Sequence, residues 1–419
     1  MKAAFAACCA LAALPSFAFA DEPYLPVEPR VMHEPGEVVD VADAFDRGVP
    51  FQVHIALAFM ETVRWAAIDH HDTTGKVLDT LLYRGTASSL VPRIDVGLYH
   101  DLAFYISMPI TLSATYTIST TKNATSVSGP DGENLFTLPF HSPDRSGPEW
   151  LAAGFDTDIF NQMRKASFPT WLLGAEVRIP VGVSLHACNV SSPMGEVACA
   201  APGDINRNGK TDPGEPKGIT QESAGNSRGT VGLELHSFIS RRIHFFEPYA
   251  GVEGVVEVPL GNSDFSLVKQ AGGGIPPVIL EGSIGTLLIP WEDREHFSRV
   301  TLDMRVSASA HTSGPEATEL YDALGSSSAT SIRAPIAGAI PFSGVTRVAA
   351  FPAGRIATEA TWQSSKYIKL SVNIRGGYEG NHSLTVPDST NAAYRSAIAG
   401  FDSRSRFTLD VGAKAVVMF

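Results

Sequence analysis

The last fifteen residues of the chain, 405–419, read SRFTLDVGAKAVVMF. Phe407, Leu409, Val411, Ala413, Ala415, Val417 and the terminal Phe419 fall on one face of an extended chain. Thr408, Asp410, Gly412, Lys414 and Val416 fall on the other. Successive side chains of a strand point to opposite faces, so this alternation specifies a β-strand. One face is unbroken apolar surface and the other is mostly polar or small. A strand standing between lipid and a wet lumen needs that division, and fifteen residues are enough to cross a bilayer.

The same pattern recurs upstream. Phe51, Val53, Ile55, Leu57 and Phe59 alternate with Gln52, His54, Ala56 and Ala58. Residues 102–121 (LAFYISMPITLSATYTISTT) carry no charge across twenty positions. A membrane helix is a poor reading of them, because eight of the twenty are Ser or Thr and Pro109 sits mid-run. Period two instead puts Leu102, Phe104, Ile106, Met108, Ile110, Leu112, Tyr116 and Ile118 on one face, expected to meet lipid. Twelve candidate strands result: 51–68, 90–99, 102–118, 150–162, 169–183, 229–240, 244–258, 276–290, 298–310, 354–363, 366–379 and 405–419. Short turns are expected at Tyr99-His100-Asp101 and near Lys165, Arg241, Arg294 and Ser365. Long polar loops are expected near 69–89, 119–148, 184–227, 260–275, 312–343 and 380–404. With no spanning helix, every peptide group facing hydrocarbon must pair with another strand, so the strands must close on themselves. The fold class is therefore an all-β, transmembrane antiparallel up-and-down β-barrel of about twelve strands, within a range of 10–16. Its long loops are expected outside the cell and its short turns in the periplasm. A pair of secreted β-sandwiches is the competing architecture, but sandwich strands are shorter and scatter charges over their outer faces.

The 419 residues divide in three. Residues 1–20 (MKAAFAACCALAALPSFAFA) have one early cation, a short apolar core and a small-x-small ending, the pattern of a signal peptide cleaved after Ala20. Residues 21–50 begin acidic and Pro-rich, and read as a solvated periplasmic extension. Residues 51–419 form the barrel. Lys plus Arg number 32 against 44 Asp plus Glu, a formal net charge of −12, which excludes a nucleic-acid partner. A 44% hydrophobic content excludes disorder as the main state.

With an export segment, period-two strands and a terminal Phe419, the chain resembles a Gram-negative outer-membrane β-barrel protein. The terminal aromatic resembles the signal read by the barrel-assembly machinery, which that resemblance implies as a partner. The stretch GFDTDIFNQMRKASFPTWLLGAEVRIPVG (154–182) is similar to a strand–turn–strand of outer-membrane transporter families. There a Gly-Asp start leads, through a short turn, to a strand ending Leu-Pro-Thr-Gly. Here the matching residues are Gly154-Phe155-Asp156 and Ile179-Pro180-Val181-Gly182, so the ending departs from the pattern. The resemblance implies a location in the cell outer membrane among its lipids. It also implies a porin-like or transporter role for small solutes, and no enzymatic activity. A structural or surface-interaction barrel with a plugged lumen remains the alternative, and an outer-membrane enzyme the third reading.

Turning the polar face inward gives a charged lumen. Its candidate residues are Arg93, Asp95, Glu176, Arg178, Glu234, Glu253, Asp303, Arg305, Lys369, Arg375, Asp410 and Lys414, with Glu257, Glu281 and Glu359 on the same faces. Mixed signs suit a hydrated pore and equally suit ion pairs that fill a narrow barrel. The His-Ser pairs His141-Ser142, His236-Ser237 and His382-Ser383, and the run Asp69-His70-His71-Asp72, are weaker candidates.

Residues 204–215 match D-x-[DN]-x-[DN]-G-x5-E without a gap. Asp204, Asn206, Asn208, the Lys210 carbonyl, Asp212 and Glu215 would supply hard oxygen ligands, which suit Ca2+. The flanks are not helical, so the loop resembles the calcium loops of dockerin and thrombospondin-type modules, where calcium is structural. Cys188 and Cys199 precede it, and in an oxidising compartment they are expected to form a disulfide. Calcium is therefore expected to protect the 184–227 loop of intact cells from added protease, and to lose that effect in Glu215→Ala. Equal cleavage with calcium and with chelator would reject the metal site.

Overall fold

The computed structural model describes residues 38–46, 49–129, 132–190, 197–199, 224–260, 263–270, 274–327, 329, 342–387 and 400–419. Twelve antiparallel strands form a closed wall. They are β1 (Val53–His71), β2 (Val77–Tyr99), β3 (Leu102–Ser107 and Ile110–Thr120), β4 (Arg145–Pro148 and Trp150–Phe160), β5 (Thr170–Pro180) and β6 (Thr230–Ser240). The second half comprises β7 (Phe246–Pro259), β8 (Ile279–Asp293), β9 (Ser298–His311), β10 (Phe351–Ser365), β11 (Ile368–Glu379) and β12 (Gly400–Met418). Each strand pairs with its sequence neighbours, and β12 pairs with β1 from Gly400↔His71 to Met418↔His54. Phe419 extends that seam: its N–H donates to the Val53 carbonyl at 2.9 Å, and Val53 N–H donates to its carbonyl at 3.2 Å.

The outward rows are mostly apolar and exposed, as at Leu235, Leu280, Ile356, Val372 and Ile374, with the charged Glu61 and Arg84 also on them. On β12 the outward row is the one the sequence shows, Phe407 through Phe419. No helix among the described residues is long and apolar enough to cross a membrane. The strands meet in short turns at one end: 100–101, 161–169, 241–245, 294–297 and 366–367. The other end carries 121–144, 181–229, 260–278, 312–350 and 380–399.

Three local readings change. The β1–β2 hairpin needs only 72–76, where a loop over 69–89 is expected. Leu81 and Tyr83 face inward while Leu82 faces outward, so apolar residues fall on both faces of 81–83, and the polar residues around them mask the alternation in the sequence. β3 shifts register where Ser88 and Ser89 oppose Ser113 and Thr111. That bulge moves Tyr116 and Ile118 off the outward row and into the interior. β12 begins at Gly400 rather than 405, because Ser405 takes a left-handed φ of 56° and a register shift falls between Arg404 and Phe407.

Loops fold into the long-loop end instead of standing in solvent. Leu135, Phe136, Phe140, Leu324, Phe342 and Leu384 join the wall residues Ile68, Leu81, Ile118 and Phe401 in one buried apolar cluster. A second cluster brings Ala187, Phe265, Tyr321 and Val345 together. It packs α1 (Asp264–Gln270) and α2 (Tyr321–Gly325) against the 181–229 loop. The opposite end is entered by residues 38–46, where Val39, Ala42, Asp43 and Ala44 are buried rather than solvated. Gly97 makes room for them, since a Cβ there would lie 2.2 Å from the Asp43 carbonyl oxygen.

Deleting Phe419 removes both terminal seam hydrogen bonds. The deletion is expected to reduce the heat-resistant folded fraction on an unboiled gel. An unchanged fraction at normal yield would contradict a structural role for the last residue.

Candidate functional site

The lumen is the candidate site, because strand alternation delivers the charged face there. On the wall from β2 to β6, Arg93 Nη2 lies 2.5 Å from Asp95 and 3.3 Å from Asp156. Its guanidinium covers the Tyr105 ring at 3.8 Å. Asp156 also meets His236 Nε2 at 2.8 Å, and His236 Nδ1 lies 3.4 Å from Glu234. Arg178 joins Glu176 at 2.7 Å and pairs with Glu234. Glu253 stands in register between His236 and Glu281, and Arg355 reaches Glu281 at 3.3 Å.

On the other walls, Tyr249 donates to Asp303 at 2.6 Å, and Arg305 donates to the Tyr249 oxygen at 2.9 Å. Lys414 pairs with Glu359 at 3.1 Å, and Thr62 donates to Asp410 at 2.7 Å. Arg375 reaches the Met60 sulfur at 3.5 Å. Lys369 pairs at 3.2 Å with Asp40, which comes from the N-terminal segment and not from the wall. All twelve lumen candidates therefore lie on inward faces. Asp156, Tyr105 and Tyr249 are absent from the lumen residues expected from sequence, and His236 is expected there only as half of a His-Ser pair. Two of these were within reach: Asp156 shares a face with Asp158, and His236 shares one with Glu234. His236 and Ser237 point to opposite sides of the wall, and Ser237 accepts a hydrogen bond from Trp171 at 2.9 Å, so they form no dyad.

The long-loop cap is held by a buried ion pair. Arg145 Nη2 lies 2.5 Å from Asp322 Oδ1, with side chains 10% and 1% exposed. Arg145 also donates to the carbonyls of His186, Gly225 and Ala224. Asp322 accepts the Cys188 N–H at 2.9 Å. Burial pushes the Asp322 carboxyl above its ordinary value, against the pull of Arg145. Cys188 and Cys199 face each other in a small hairpin, their sulfurs at bonding distance, 2.08 Å. Asp264 receives Tyr321 at 2.5 Å and faces His186 Nδ1 at 3.0 Å. Three loops and the start of β4 thus converge on two carboxylates. The calcium motif, Asp204 to Glu215, lies outside the described residues. Among the described residues, no group of three or more His, Cys, Asp or Glu could hold a metal ion.

At the short-turn end, Asp43 meets Arg164 at 3.0 Å, and Arg164 also pairs with Asp101. Asn161 bridges Asp101 and Asp158 at 2.9 and 3.2 Å. These contacts hold the N-terminal segment under the barrel.

A closed twelve-stranded antiparallel wall, apolar outside and charged within, makes this chain a β-barrel of the outer-membrane type. No protein-family model matches it, and no curated protein matches it in sequence. Solved structures similar to it include an outer membrane channel from Pseudomonas putida F1, at 10% identity and a TM-score of 0.42, covering 90% of this chain and 100% of that one. A FadL homologue from Pseudomonas aeruginosa has 7% identity and a TM-score of 0.37, covering 88% and 90%. The outer membrane protease OmpT from Escherichia coli has 9% identity and a TM-score of 0.30, covering 89% and 99%. The fold assignment rests on the strand pairing of this chain itself.

Removing one partner of a buried ion pair leaves the other charge uncompensated, at a cost of roughly 3–5 kcal/mol. Arg145→Leu is expected to expose the 312–350 loop to protease at lower urea while the barrel keeps its heat-resistant gel mobility. Identical cleavage profiles for parent and variant would show that the pair does not hold the cap.

Proposed function

We propose that this chain works in the outer membrane of a Gram-negative bacterium as a passive channel for small solutes, closed at both ends at rest. One observation carries the reading. The inward-facing side chains of Arg93, Arg305 and Arg355 are 37%, 35% and 48% exposed, although each is ion-paired inside the barrel. Space the size of water reaches these cations, and a lumen packed solid would leave them dry. Mixed charge on a wet wall favours polar solutes over apolar ones.

The short turns then face the periplasm and the long loops the cell exterior, as in known barrels of this class. Parity supports the same sidedness for the 181–229 loop, which joins the upward β5 to the downward β6. Export by the N-terminal segment with cleavage after Ala20, insertion by the barrel-assembly machinery through Phe419, and calcium at Asp204–Glu215 belong to the same proposal.

The second reading is a structural or surface-interaction barrel. The apolar loop clusters at one end and residues 38–46 at the other favour it, because both close the lumen. Purified full-length protein in planar bilayers separates the two. A channel raises conductance in steps or admits solutes to liposomes, and Arg145→Leu should raise the open fraction. Neither conductance nor uptake, in parent or variant, would overturn the channel reading.

A further inference from the structure

One rung of the wall at the short-turn end has an unusual composition. Arg299 of β9 stands directly opposite Gln363 of β10, and Gln363 directly opposite Lys369 of β11. The three face inward and are 3%, 0% and 3% exposed. Two cations on one rung, both buried, have lost their water, so the rung is stable only with an anion on it.

The anion present is the chain's own. Asp40 places Oδ2 at 3.2 Å from Lys369 Nζ. Burial works against its charge, and Lys369, His54 and Arg299 outweigh burial, so its carboxyl titrates below the ordinary value. Asp40 does not satisfy the rung, however. Arg299 Nη1 is a buried donor with no hydrogen-bond partner, whereas the Gln363 amide already donates through Nε2 to the Ser365 carbonyl at 3.2 Å. A guanidinium presents paired donors that match the two oxygens of a carboxylate. The rung therefore offers more donors than its tethered occupant uses.

We propose that Arg299 and Lys369, on either side of Gln363, form a binding site for a small monocarboxylate, and that Asp40 occupies it in the absence of solute. The proposal deepens the channel reading and rests on it for its role: the site names a solute class, and Asp40 makes the N-terminal segment its competitor. A short tether holds Asp40 at an effective concentration on the order of millimolar, so free carboxylate enters only when the segment yields.

The test is calorimetric titration of the detergent-solubilised mature chain with sodium acetate at constant ionic strength. Asp40→Asn is expected to bind acetate at least tenfold more tightly than the parent. Adding Lys369→Gln to Asp40→Asn should abolish the gain, and adding Arg299→Gln, the alternative if the Lys369 variant fails to fold, should reduce it. Equal affinity of parent and Asp40→Asn would overturn the site, as would a gain that survives both added substitutions. Titration does not depend on conduction: acetate binding by a non-conducting protein would sink the channel reading alone, and conduction without binding would sink the site alone.

Discussion

The need to pair every backbone N–H and C=O in hydrocarbon governs this molecule. An unpaired peptide group in lipid costs several kcal/mol, so an open sheet edge is not tolerated there. β12 must therefore find β1 across the whole length of the chain, and it does so from Gly400↔His71 to Met418↔His54. Once the wall closes, the period of the strand assigns every side chain to lipid or to lumen. Apolar residues take most of the outer face, with Glu61 opposite Val411 and Arg84 opposite Trp65 as exceptions, and the lumen charges take the inside.

Inside, the charges have answered to one another. Arg93, Asp156, His236, Glu234 and Arg178 form a continuous chain of contacts across β2, β4, β5 and β6. The two ends are packed by different physics. Apolar side chains from the loops bury themselves against inward-turned Leu81, Ile118 and Phe401 at one end. At the other, carboxylates of the N-terminal segment sit on Lys369 and Arg164. Apolar packing of this kind is insensitive to ionic solutes, whereas an ion pair can exchange one anion for another.

The regular part of this architecture could be read from residues alone. Strand number, the short turns, the lipid-facing row of β12 and all twelve inward charges follow from period two. What could not be read lies where that period breaks. The bulge at Ser405 hid the first turn of β12, and the shift at Ser88/Ser89 sent Tyr116 and Ile118 inward. The upper half of β2 has apolar residues on both faces because it lines the loop cluster as well as the outer surface. Residues 38–46 lack any periodicity, and their burial comes from tertiary contacts such as the one Gly97 permits. Pairing partners such as Asp40 with Lys369 are 329 residues apart and leave no local trace.

The division of the wall into a lipid face and a wet face is tested most directly by single cysteines along β11, 368–379. A small, water-soluble thiol reagent and a lipid-borne quencher are applied to the protein in liposomes. The account predicts a period of two: odd positions such as 371, 373 and 375 react with the soluble reagent, and even positions such as 370, 372 and 374 are quenched by lipid. Uniform reactivity along the strand, or the opposite phase, would contradict it.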